Sequence, residues 1–463
     1  MRVVVVGGGI AGLAAAERLG RARPDDEVVV LEAADRIGGK LRVNEVAGHP
    51  VDVGAEALLV RRPEGLVLAR AAGLSDEVIR PLTTAASIWT GRPHPIPGGT
   101  VLGIPGDVEA ATASGLFSDA TLRRLAAERE EHHPRLEQDV SVGDLVGERL
   151  GQEVVADLVD PLLGGVYAGR AGEISLQAAI PALAARLATE GGSLVAAAAA
   201  LNEAGRAATP VGAPVFASLR GGLGRLPEQV ATRGRFTVRT RATVRALSRR
   251  PGGGFVLAVG SRPDGETLEA DALVLAVPAG KAAALLRESA PVAARELAGV
   301  RTASVAIVSL ALPGDVALPA GSGLLVPAGR GLAVKGVTLT SQKWPDGPDG
   351  LSLLRASFGR VGDEAVLQRD DRDLVALAAA ELEVLLGGPL RPVDAVVTRW
   401  GGGLPQYDVG HVDRVLRIRA DVAAVPGLAV AGATYDGVGI PACIASAWAA
   451  AAQVGAALAG RGQ

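Results

Sequence analysis

A glycine-rich turn at the start of the chain constrains the fold more than any other feature. Residues 2–6 form an apolar run typical of a buried parallel strand, and an alanine-rich helical segment begins at Ile10. In the turn between them, Gly7 permits a tight bend, Gly9 lets a pyrophosphate approach the backbone, and Gly12 lets helix and strand pack closely. The complete GxGxxG pattern is Gly7-Gly8-Gly9-Ile10-Ala11-Gly12.

A second apolar run, residues 27–32, completes a βαβ unit and ends at Glu32, 20 residues after Gly12. A carboxylate at this position can accept hydrogen bonds from ribose hydroxyls, and we include the neighbouring Ala33 in the predicted site. The N-terminus of the helix presents free N–H groups and a positive dipole end to phosphates. The unit predicts a dinucleotide site, but it does not by itself separate NAD from FAD.

Two further motifs follow within the first sixty residues. Paired glycines suit a backbone that packs against an extended dinucleotide. No second GxGxxG follows a strand, so we do not expect a separate nicotinamide site. The motifs are Asp35-Arg36-Ile37-Gly38-Gly39-Lys40 and Asp52-Val53-Gly54-Ala55-Glu56-Ala57.

These motifs resemble those of the superfamily of flavin amine oxidases and protoporphyrinogen oxidases. By that resemblance Gly39 and Lys40 lie near the ribityl-phosphate part of a non-covalently bound FAD, and residues 54–57 lie beside the flavin. The segment Arg241-Ala242-Thr243-Val244 also matches and implies that the Val244 backbone meets the adenine. Trp400 has a counterpart that borders the flavin in the family, and a core tryptophan is the alternative that stays open.

Three later stretches resemble the porphyrinogen oxidases, and in particular the bacterial, water-soluble coproporphyrinogen III oxidases. The ending turns a strand into a helix whose N-terminus can face the pyrimidine oxygens of the flavin and stabilise its anionic reduced form. Ala447 departs from the family, where a glycine commonly follows the serine. The stretches are 160–169 with 173–176, Leu404-Pro405-Gln406-Tyr407 with Gly410-His411, and 432–444, which includes Gly432, Val438, Gly439 and Ile440.

The resemblance implies an FAD-dependent and oxygen-dependent oxidase of haem synthesis. A porphyrinogen would lose six electrons in three rounds, most simply coproporphyrinogen III giving coproporphyrin III with release of hydrogen peroxide. Residues 165–167 would face a wide apolar slot, with Gly165 and Tyr167 as substrate residues and the Gly165 carbonyl accepting a contact from a substrate proton. Flavin N5 is the expected hydride acceptor, and we assign no catalytic side chain.

Composition limits the partners, metal sites and cellular compartment that we expect for this chain. A net charge of -3 offers no footprint for nucleic acid, and the single cysteine, Cys443, excludes an intramolecular disulfide and a cysteine-cluster metal site. We expect a cytoplasmic protein with no metal and no leader peptide. The uncharged run from Asp436 to Arg461 is long enough to cross a bilayer, but its alanines and glycines favour a core helix over a transmembrane segment. Dioxygen is the expected co-substrate, and transient contact with other haem-pathway enzymes stays open.

The alternation of elements predicts an α/β fold with α+β insertions. A discontinuous Rossmann-like FAD-binding domain would comprise residues 1–80, 211–290 and 400–463. A mixed-sheet substrate domain would comprise 81–103 and 291–399, and a helical lobe 104–210. We predict near-continuous helix over 118–163 and 175–204, paired strands over 236–247, a hairpin of 255–259 with 267–277 around residues 262–265, and a helix over 371–386.

Alternative readings use the same residues. Protoporphyrinogen IX is the alternative porphyrinogen. Another flavin oxidase, acting on amines or polyenes, is disfavoured because aromatic residues make up only 3% of the chain. A non-enzymatic binder resembling the prenyl-GTPase dissociation inhibitors is disfavoured by the intact FAD motifs. His411 is open between substrate contact and turn stabilisation, Cys443 is read as a small buried residue, and His132 with His133 as a solvated surface.

Overall fold

The structure is a computed structural model that describes residues 1–208, 214–260 and 265–460. The first two strands of the chain belong to a five-stranded sheet in which every described pair of neighbours is parallel. The neighbouring strands come from both ends and the middle of the chain, so this sheet is assembled from separated segments. In spatial order the strands are Thr237–Arg239, Glu27–Leu31, Arg2–Val6, Ala272–Leu275 and Leu428–Val430.

Both faces of this parallel sheet are covered, which explains its unbroken valine runs. Val3 and Val5 pack in one core cluster with the helices Ile10–Ala22 and Ile440–Ala459, whereas Val4 and Val6 pack in a second cluster on the opposite face. The helices of that second face are Ala279–Leu286, Pro291–Ala298 and His411–Ala423.

The closing helix, Ile440–Ala459, has the length and apolar composition of a membrane span, with a mean hydropathy of 1.5. Half of its most apolar window is buried within the protein. Ala447 is fully buried in the cluster shared with helix Ile10–Ala22. The core therefore contains the alanine methyl group at the position where the family commonly has glycine. The helix thus has a core-packing role, as the sequence predicts.

A seven-stranded mixed sheet forms the second layer of the protein. Helix Asp371–Leu386 covers one face, and its bounds agree with the sequence prediction. The opposite face carries Ser309, Arg355 and Thr338 side by side in register. In spatial order the strands are Asp394–Pro405, Thr302–Pro313, Leu351–Phe358, Val334–Leu339, Gly323–Leu325, Ser87–Trp89 and Pro93–Pro95.

The helical part shares one core cluster but is more broken than the sequence predicts. No helix is assigned over 129–141, where Pro134 interrupts the pattern, and the second predicted helix is divided at Pro181 and at Gly191. Pro181 cannot donate a helical hydrogen bond, and Gly191 has a φ of +68°. The helices are Val108–Ala113, Asp119–Glu128, Val142–Arg149, Gln152–Val154, a π-helical turn Val155–Val159, Asp160–Tyr167, Leu176–Ala179, Pro181–Glu190 and Leu194–Ala208.

Two strand predictions need correction. The predicted pair over 236–247 consists of strands in two different sheets, because Arg241 adopts a φ of +55° between them and turns the chain. The predicted strand 267–277 likewise divides into Glu266–Ala270 and Ala272–Leu275. The hairpin of Phe255–Val259 with Glu266–Ala270 is confirmed, although residues 262–264 of its turn lie outside the described residues.

The remaining elements are short and connect these layers. A three-stranded sheet joins Val244–Arg249, Phe255–Val259 and Glu266–Ala270, and another joins Leu58–Leu59, Phe216–Leu219 and Val78–Ile79. Two-stranded pairs are Val43–Val46 with His49–Asp52, and Thr100–Val101 with Ile104–Pro105. The other helices are Glu64–Ala71, Arg225–Arg233 and Thr340–Lys343, with 3-10 turns at Ser75–Glu77 and Ala365–Gln368.

Candidate cofactor and substrate site

The glycine-rich turn leaves an open approach to a helix N-terminus. A Cβ on Gly12 would lie 1.8 Å from the Gly7 carbonyl oxygen, so helix and turn are in direct backbone contact there. A Cβ on Gly9 would meet no atom of the described chain within 4 Å. Gly9 caps helix Ile10–Ala22 without a side-chain hydrogen bond, and the first turn has no acidic residue. Free N–H groups beside open space fit the pyrophosphate of a dinucleotide.

Glu32 is fixed at the carboxyl end of its strand by the backbone around it. Its carboxylate accepts hydrogen bonds from the Gly8 N–H at 2.6 Å and from the Ala34 N–H at 2.8 Å. The Glu32 carbonyl also accepts from the Ala242 N–H at 2.8 Å, which brings the start of strand Val244–Arg249 to the same corner. The carboxylate is half-buried, and Ala33 is exposed beside it.

The second glycine pair lies against the first turn. The Gly38 N–H donates to the Gly8 carbonyl at 2.8 Å, and a Cβ on Gly39 would lie 3.2 Å from the Gly9 Cα. Both glycines have positive φ values, +98° and +56°, which suit residues without a side chain. Lys40 follows, and desolvation of its ammonium group by the surrounding protein lowers its pKa.

The turn at residues 54–57 adjoins Lys40 and Trp400. A Cβ on Gly54 would lie 1.9 Å from the Lys40 carbonyl oxygen and 3.3 Å from the Trp400 ring, and Ala55 donates to the same Lys40 oxygen at 3.2 Å. The Trp400 Nε1 donates to the Val53 carbonyl at 2.8 Å. Trp400 is half-buried and packs against a small core cluster that includes Val305, and Ala57 is also half-buried.

Glu56 joins this turn to the seven-stranded sheet. Its carboxylate forms ion pairs with Lys343 and Arg355, and Arg355 also donates to the Gly54 carbonyl at 2.6 Å. Burial alone would raise the pKa of Glu56, but the two cations outweigh it and lower the pKa to about 2. Neither cation was predicted from the sequence, although a charged residue inside the apolar strand Leu351–Phe358 was a signal.

Asp52, which ends the strand before this turn, carries a buried carboxylate. It accepts from the Leu223 N–H at 3.0 Å and the Gly224 N–H at 3.4 Å, which fastens the strand His49–Asp52 to the start of helix Arg225–Arg233. Burial raises the pKa of Asp52 to about 7. This contact positions the turn that carries Glu56.

The ending of the chain supplies a second free helix N-terminus. Gly432 lies beside the glycine-rich turn of residues 7–12, since a Cβ on Gly432 would be 3.9 Å from the Ala11 Cβ. Helix Ile440–Ala459 begins after Gly439 without a described side-chain cap or an acidic first turn. Val438 is half-buried and packs against the core of the helical part. Gly9 and Gly439 therefore both precede helices that leave donors available to a cofactor.

The turn before that helix is supported by Tyr407 and His411. The Tyr407 hydroxyl donates to the Ala433 carbonyl at 2.6 Å and accepts from the Gly437 N–H at 2.8 Å. The His411 ring stacks on Tyr407 at 4.1 Å, and burial lowers its pKa to about 4. Neutral His411 donates from Nε2 to the Thr434 carbonyl at 3.0 Å, so it stabilises the turn.

Cys443 lies at the start of the same helix. The side chain is buried, and burial raises the pKa of its thiol to about 11. The protonated thiol therefore fits the reading of a small core residue.

Helix Asp160–Tyr167 carries both predicted substrate residues, but only one of them is exposed. Gly165 is exposed and Val166 is 40% exposed, whereas the Tyr167 side chain is buried and packs on Tyr407 at 5.5 Å. Gln406 donates to the Tyr167 carbonyl at 2.8 Å, which joins the two motifs physically. Gly165 therefore lies on an accessible surface, whereas the Tyr167 side chain lies in the core of the helical part.

Comparisons with known proteins extend over nearly the whole chain. The family described as "Flavin containing amine oxidoreductase" matches residues 10–455. The coproporphyrinogen III oxidase of Mycobacterium tuberculosis (strain ATCC 25618 / H37Rv) is 43% identical over 448 residues, covering 96% of this chain and 95% of that protein. The coproporphyrinogen III oxidase of Bacillus subtilis is 30% identical, with coverage of 96% and 95%.

A solved structure agrees with this sequence similarity. The crystal structure of a candidate protoporphyrinogen oxidase from Exiguobacterium sp. 255-15 has a TM-score of 0.86 and 33% identity, and covers 99% of both chains. The likeness includes the seven-stranded sheet and the helical part as well as the nucleotide-binding end.

Proposed function

The chain belongs to the flavin-containing amine oxidoreductase family, and we propose that it oxidises coproporphyrinogen III to coproporphyrin III. The observation that carries the proposal is the 43% identity to a coproporphyrinogen III oxidase across 96% of the chain. That span includes the substrate-facing helix and sheet, so the similarity is not confined to the nucleotide-binding motifs. The protein is an FAD-dependent oxidase.

The geometry supports assigning different parts of FAD to different groups of the predicted residues. We assign the pyrophosphate to the first turn, the adenosine ribose to Glu32 with Ala33, and the adenine to the Val244 backbone. The ribityl-phosphate part falls to Gly39 and Lys40, and FAD is held without a covalent bond. The flavin is bordered by Gly54, Ala55, Glu56, Ala57, Trp400, Gly432, Val438, Gly439 and Ile440, and the phosphate turn comprises Gly7, Gly8, Gly9, Ile10, Ala11 and Gly12.

FAD, when bound, supplies a two-electron acceptor at flavin N5. The net reaction removes six electrons and six protons from the macrocycle and converts three dioxygen molecules to three of hydrogen peroxide. Glu56 stays ionised at neutral pH because its pKa is about 2, so it orients Lys343 and Arg355 instead of accepting a proton. The free N-terminus of helix Ile440–Ala459 would supply a positive dipole end to the pyrimidine ring of a bound flavin.

We further propose a cytoplasmic enzyme with dioxygen as oxidant. The apolar closing helix packs in the protein core, and charged residues such as Arg123 and Glu130 cover the helical part, where burial in lipid would be costly. Protoporphyrinogen IX is the second candidate substrate, supported by the 28% identity to the chloroplastic protoporphyrinogen oxidase 1 of Arabidopsis thaliana over 97% of the chain.

An aerobic fluorescence assay tests the substrate assignment. We expect kcat/KM for coproporphyrinogen III to exceed that for protoporphyrinogen IX by about 5- to 30-fold, since each of two extra carboxylates gains on the order of 0.5–1 kcal/mol from a partly exposed cation. Both substrates are measured in the same detergent. Hydrogen peroxide should accumulate with porphyrin, and NADPH should change nothing. A preference for protoporphyrinogen IX, or a need for NADPH, contradicts the proposal.

Replacing Glu32 with alanine tests the ribose assignment. We expect Glu32→Ala to lower FAD affinity by about 1–3 kcal/mol, because charge-assisted hydrogen bonds to the ribose are lost. Equilibrium titration of stripped protein with FAD measures the effect. Glu27→Ala, at the exposed start of the same strand, is the matched control and should bind FAD like the wild type. Equal affinity in both variants would exclude the ribose role of Glu32.

A further inference from the structure

Two buried cations, Lys335 and Arg360, lie behind helix Asp160–Tyr167 and are only partly neutralised by nearby carboxylates. Lys335 is 5% exposed, and its ammonium has no hydrogen bond or ion pair among the described residues. Arg360 is 9% exposed, and its Nη1 is buried without a hydrogen bond. The Arg360 Nη2 donates to the Val326 carbonyl at 2.8 Å, and Asp160 is 3.8 Å from Nη1. Asp363 also lies near Arg360, and Arg170 adds a further positive charge. Among the described residues, no carboxylate hydrogen-bonds to Lys335 or Arg360, so the two cations keep unsatisfied donors.

Their position connects them to the accessible surface of helix Asp160–Tyr167. A Cβ on Gly164 would lie 2.4 Å from the Arg360 Nη1, so the guanidinium is seated directly against this helix. Lys335 occupies a bulge in strand Val334–Leu339, next to Gly336. A Cβ on Gly336 would meet Leu325 at 3.2 Å, and Leu325 also lies within 3.7 Å of a Cβ built on Gly165. Leu325 thus bridges the strand that carries Lys335 and the exposed Gly165.

The energetics favour an anion at this place. A buried ammonium without a partner is strongly disfavoured, and nearby like charge adds to the penalty. Burial, and then the charge of Arg360, lower the pKa of Lys335 to about 7. A carboxylate entering between the two cations would keep Lys335 charged and would satisfy the Arg360 Nη1. Asp157, a neighbouring carboxylate on the π-helical turn, is already paired with Arg330.

We propose that Lys335 and Arg360 bind one propionate carboxylate of the porphyrinogen at the end of the slot beside Gly165. The inference rests on the proposed function and assigns two substrate-positioning residues to it. The carboxylate anchors the rim of the macrocycle, and the exposed Gly165 and Val166 face its apolar body. No proton or electron is transferred at this anchor.

The test compares Lys335→Met with the wild-type holoenzyme. The probes are coproporphyrin III and its tetramethyl ester, titrated by porphyrin fluorescence. We expect Lys335→Met to weaken coproporphyrin III binding by about 10- to 100-fold, as for loss of a charge-assisted hydrogen bond, and to leave the ester unchanged. KM for coproporphyrinogen III should rise with little change in kcat, and Lys335→Arg should restore most of the affinity. Methionine matches the aliphatic length of lysine, so thermal stability should not fall.

One control variant and the activity of the wild type separate the possible failures. Lys281→Met removes an exposed lysine from helix Ala279–Leu286 and should bind both probes like the wild type. If the wild type oxidises coproporphyrinogen III and Lys335→Met binds the free acid equally well, the carboxylate anchor is wrong and the proposed function stands. Equal weakening for acid and ester also overturns the anchor. If the wild type neither oxidises the porphyrinogen nor binds the porphyrin, the proposed function is wrong, and the carboxylate anchor that depends on it is wrong as well.

Discussion

Replacing Gly9 with alanine is expected to abolish stoichiometric FAD binding while the stripped protein keeps the thermal stability of the wild type. The new methyl group would meet no atom of the described chain within 4 Å, so the fold should accept it. The same methyl would stand in front of the helix N-terminus, where the pyrophosphate must approach. Losing two charge-assisted hydrogen bonds to phosphate would cost on the order of 3–6 kcal/mol of FAD affinity.

Gly12 provides the contrasting variant. A Cβ at Gly12 would lie 1.8 Å from the Gly7 carbonyl oxygen, which no side-chain rearrangement relieves. Helix and strand must separate, and we expect Gly12→Ala to lower the free energy of unfolding by about 3 kcal/mol even without FAD. Gly9 and Gly12 therefore separate the requirement for binding from the requirement for folding within one motif.

Flavin absorbance per protein after gel filtration measures the binding, and circular dichroism of the stripped variants measures the stability. Gly280→Ala is the control, because a Cβ there also meets open space but lies in helix Ala279–Leu286, away from the phosphate turn. It should retain both FAD and stability. A Gly9→Ala protein that purifies with a full complement of FAD would show that the pyrophosphate does not lie against this turn.

Local sequence patterns account for the elements that were predicted well. The strand Arg2–Val6 and the helix that begins at Ile10 are specified by contiguous residues, and the bounds of the strand and the start of the helix agree with the prediction. Helix Asp371–Leu386 also agrees, because Asp370 precedes it in an extended conformation and Gly387 ends it with a φ of +79°. These signals lie within a few residues of the elements they define.

The incorrect predictions concern which strands pair and where helices are interrupted. Strand pairing in particular depends on distant parts of the chain. Strands Thr237–Arg239 and Val244–Arg249 are both extended, but their partners belong to different sheets. An alternating pattern identifies a strand without naming its neighbour. The break over 129–141 was missed because the charged pattern of Asp119–Glu128 continues beyond the helix end.

The same limit explains which site residues were found. The FAD motifs are contiguous, whereas the two cations that hold Glu56 lie 287 and 299 residues away in sequence. Lys335 and Arg360 were missed for the same reason, since their proximity depends on sheet register and on the packing of helix Asp160–Tyr167. A charged residue in an apolar strand was the available signal, but it does not identify the partner.

Glu56→Gln is expected to destabilise the protein by about 3–5 kcal/mol at neutral pH, the range for breaking a buried ion pair. The Arg355 side chain is 8% exposed and that of Lys343 is 16% exposed, so neither cation can recover full hydration when the carboxylate is removed. The Glu56→Gln/Lys343→Met double variant should recover part of the loss, because it leaves one unpaired cation instead of two.

The loss should depend on pH with a defined sign. Lys343 and Arg355 depress the pKa of Glu56 to about 2 against the burial that opposes them, whereas the carboxyl of the unfolded chain has an ordinary pKa near 4.5. The stabilisation by ionised Glu56 is therefore fully present above about pH 4.5 and is lost as the pH falls through about 2. The difference in unfolding free energy between wild type and Glu56→Gln should shrink over that window.

Urea unfolding of both proteins between pH 3 and pH 7 measures this difference. Glu77→Gln is the matched control, since Glu77 also faces two arginines, Arg220 and Arg225, but its side chain is 36% exposed. Solvent screening limits such a pair to about 0–1 kcal/mol, so the control should change little at any pH. An equal loss for Glu56→Gln at pH 3 and pH 7 would assign the effect to packing, because groups that both proteins share largely cancel in the difference and the contribution of the Glu56 charge falls over that interval. A loss confined to the higher pH values identifies the ionised carboxylate as the group that holds the flavin-side turn against the sheet.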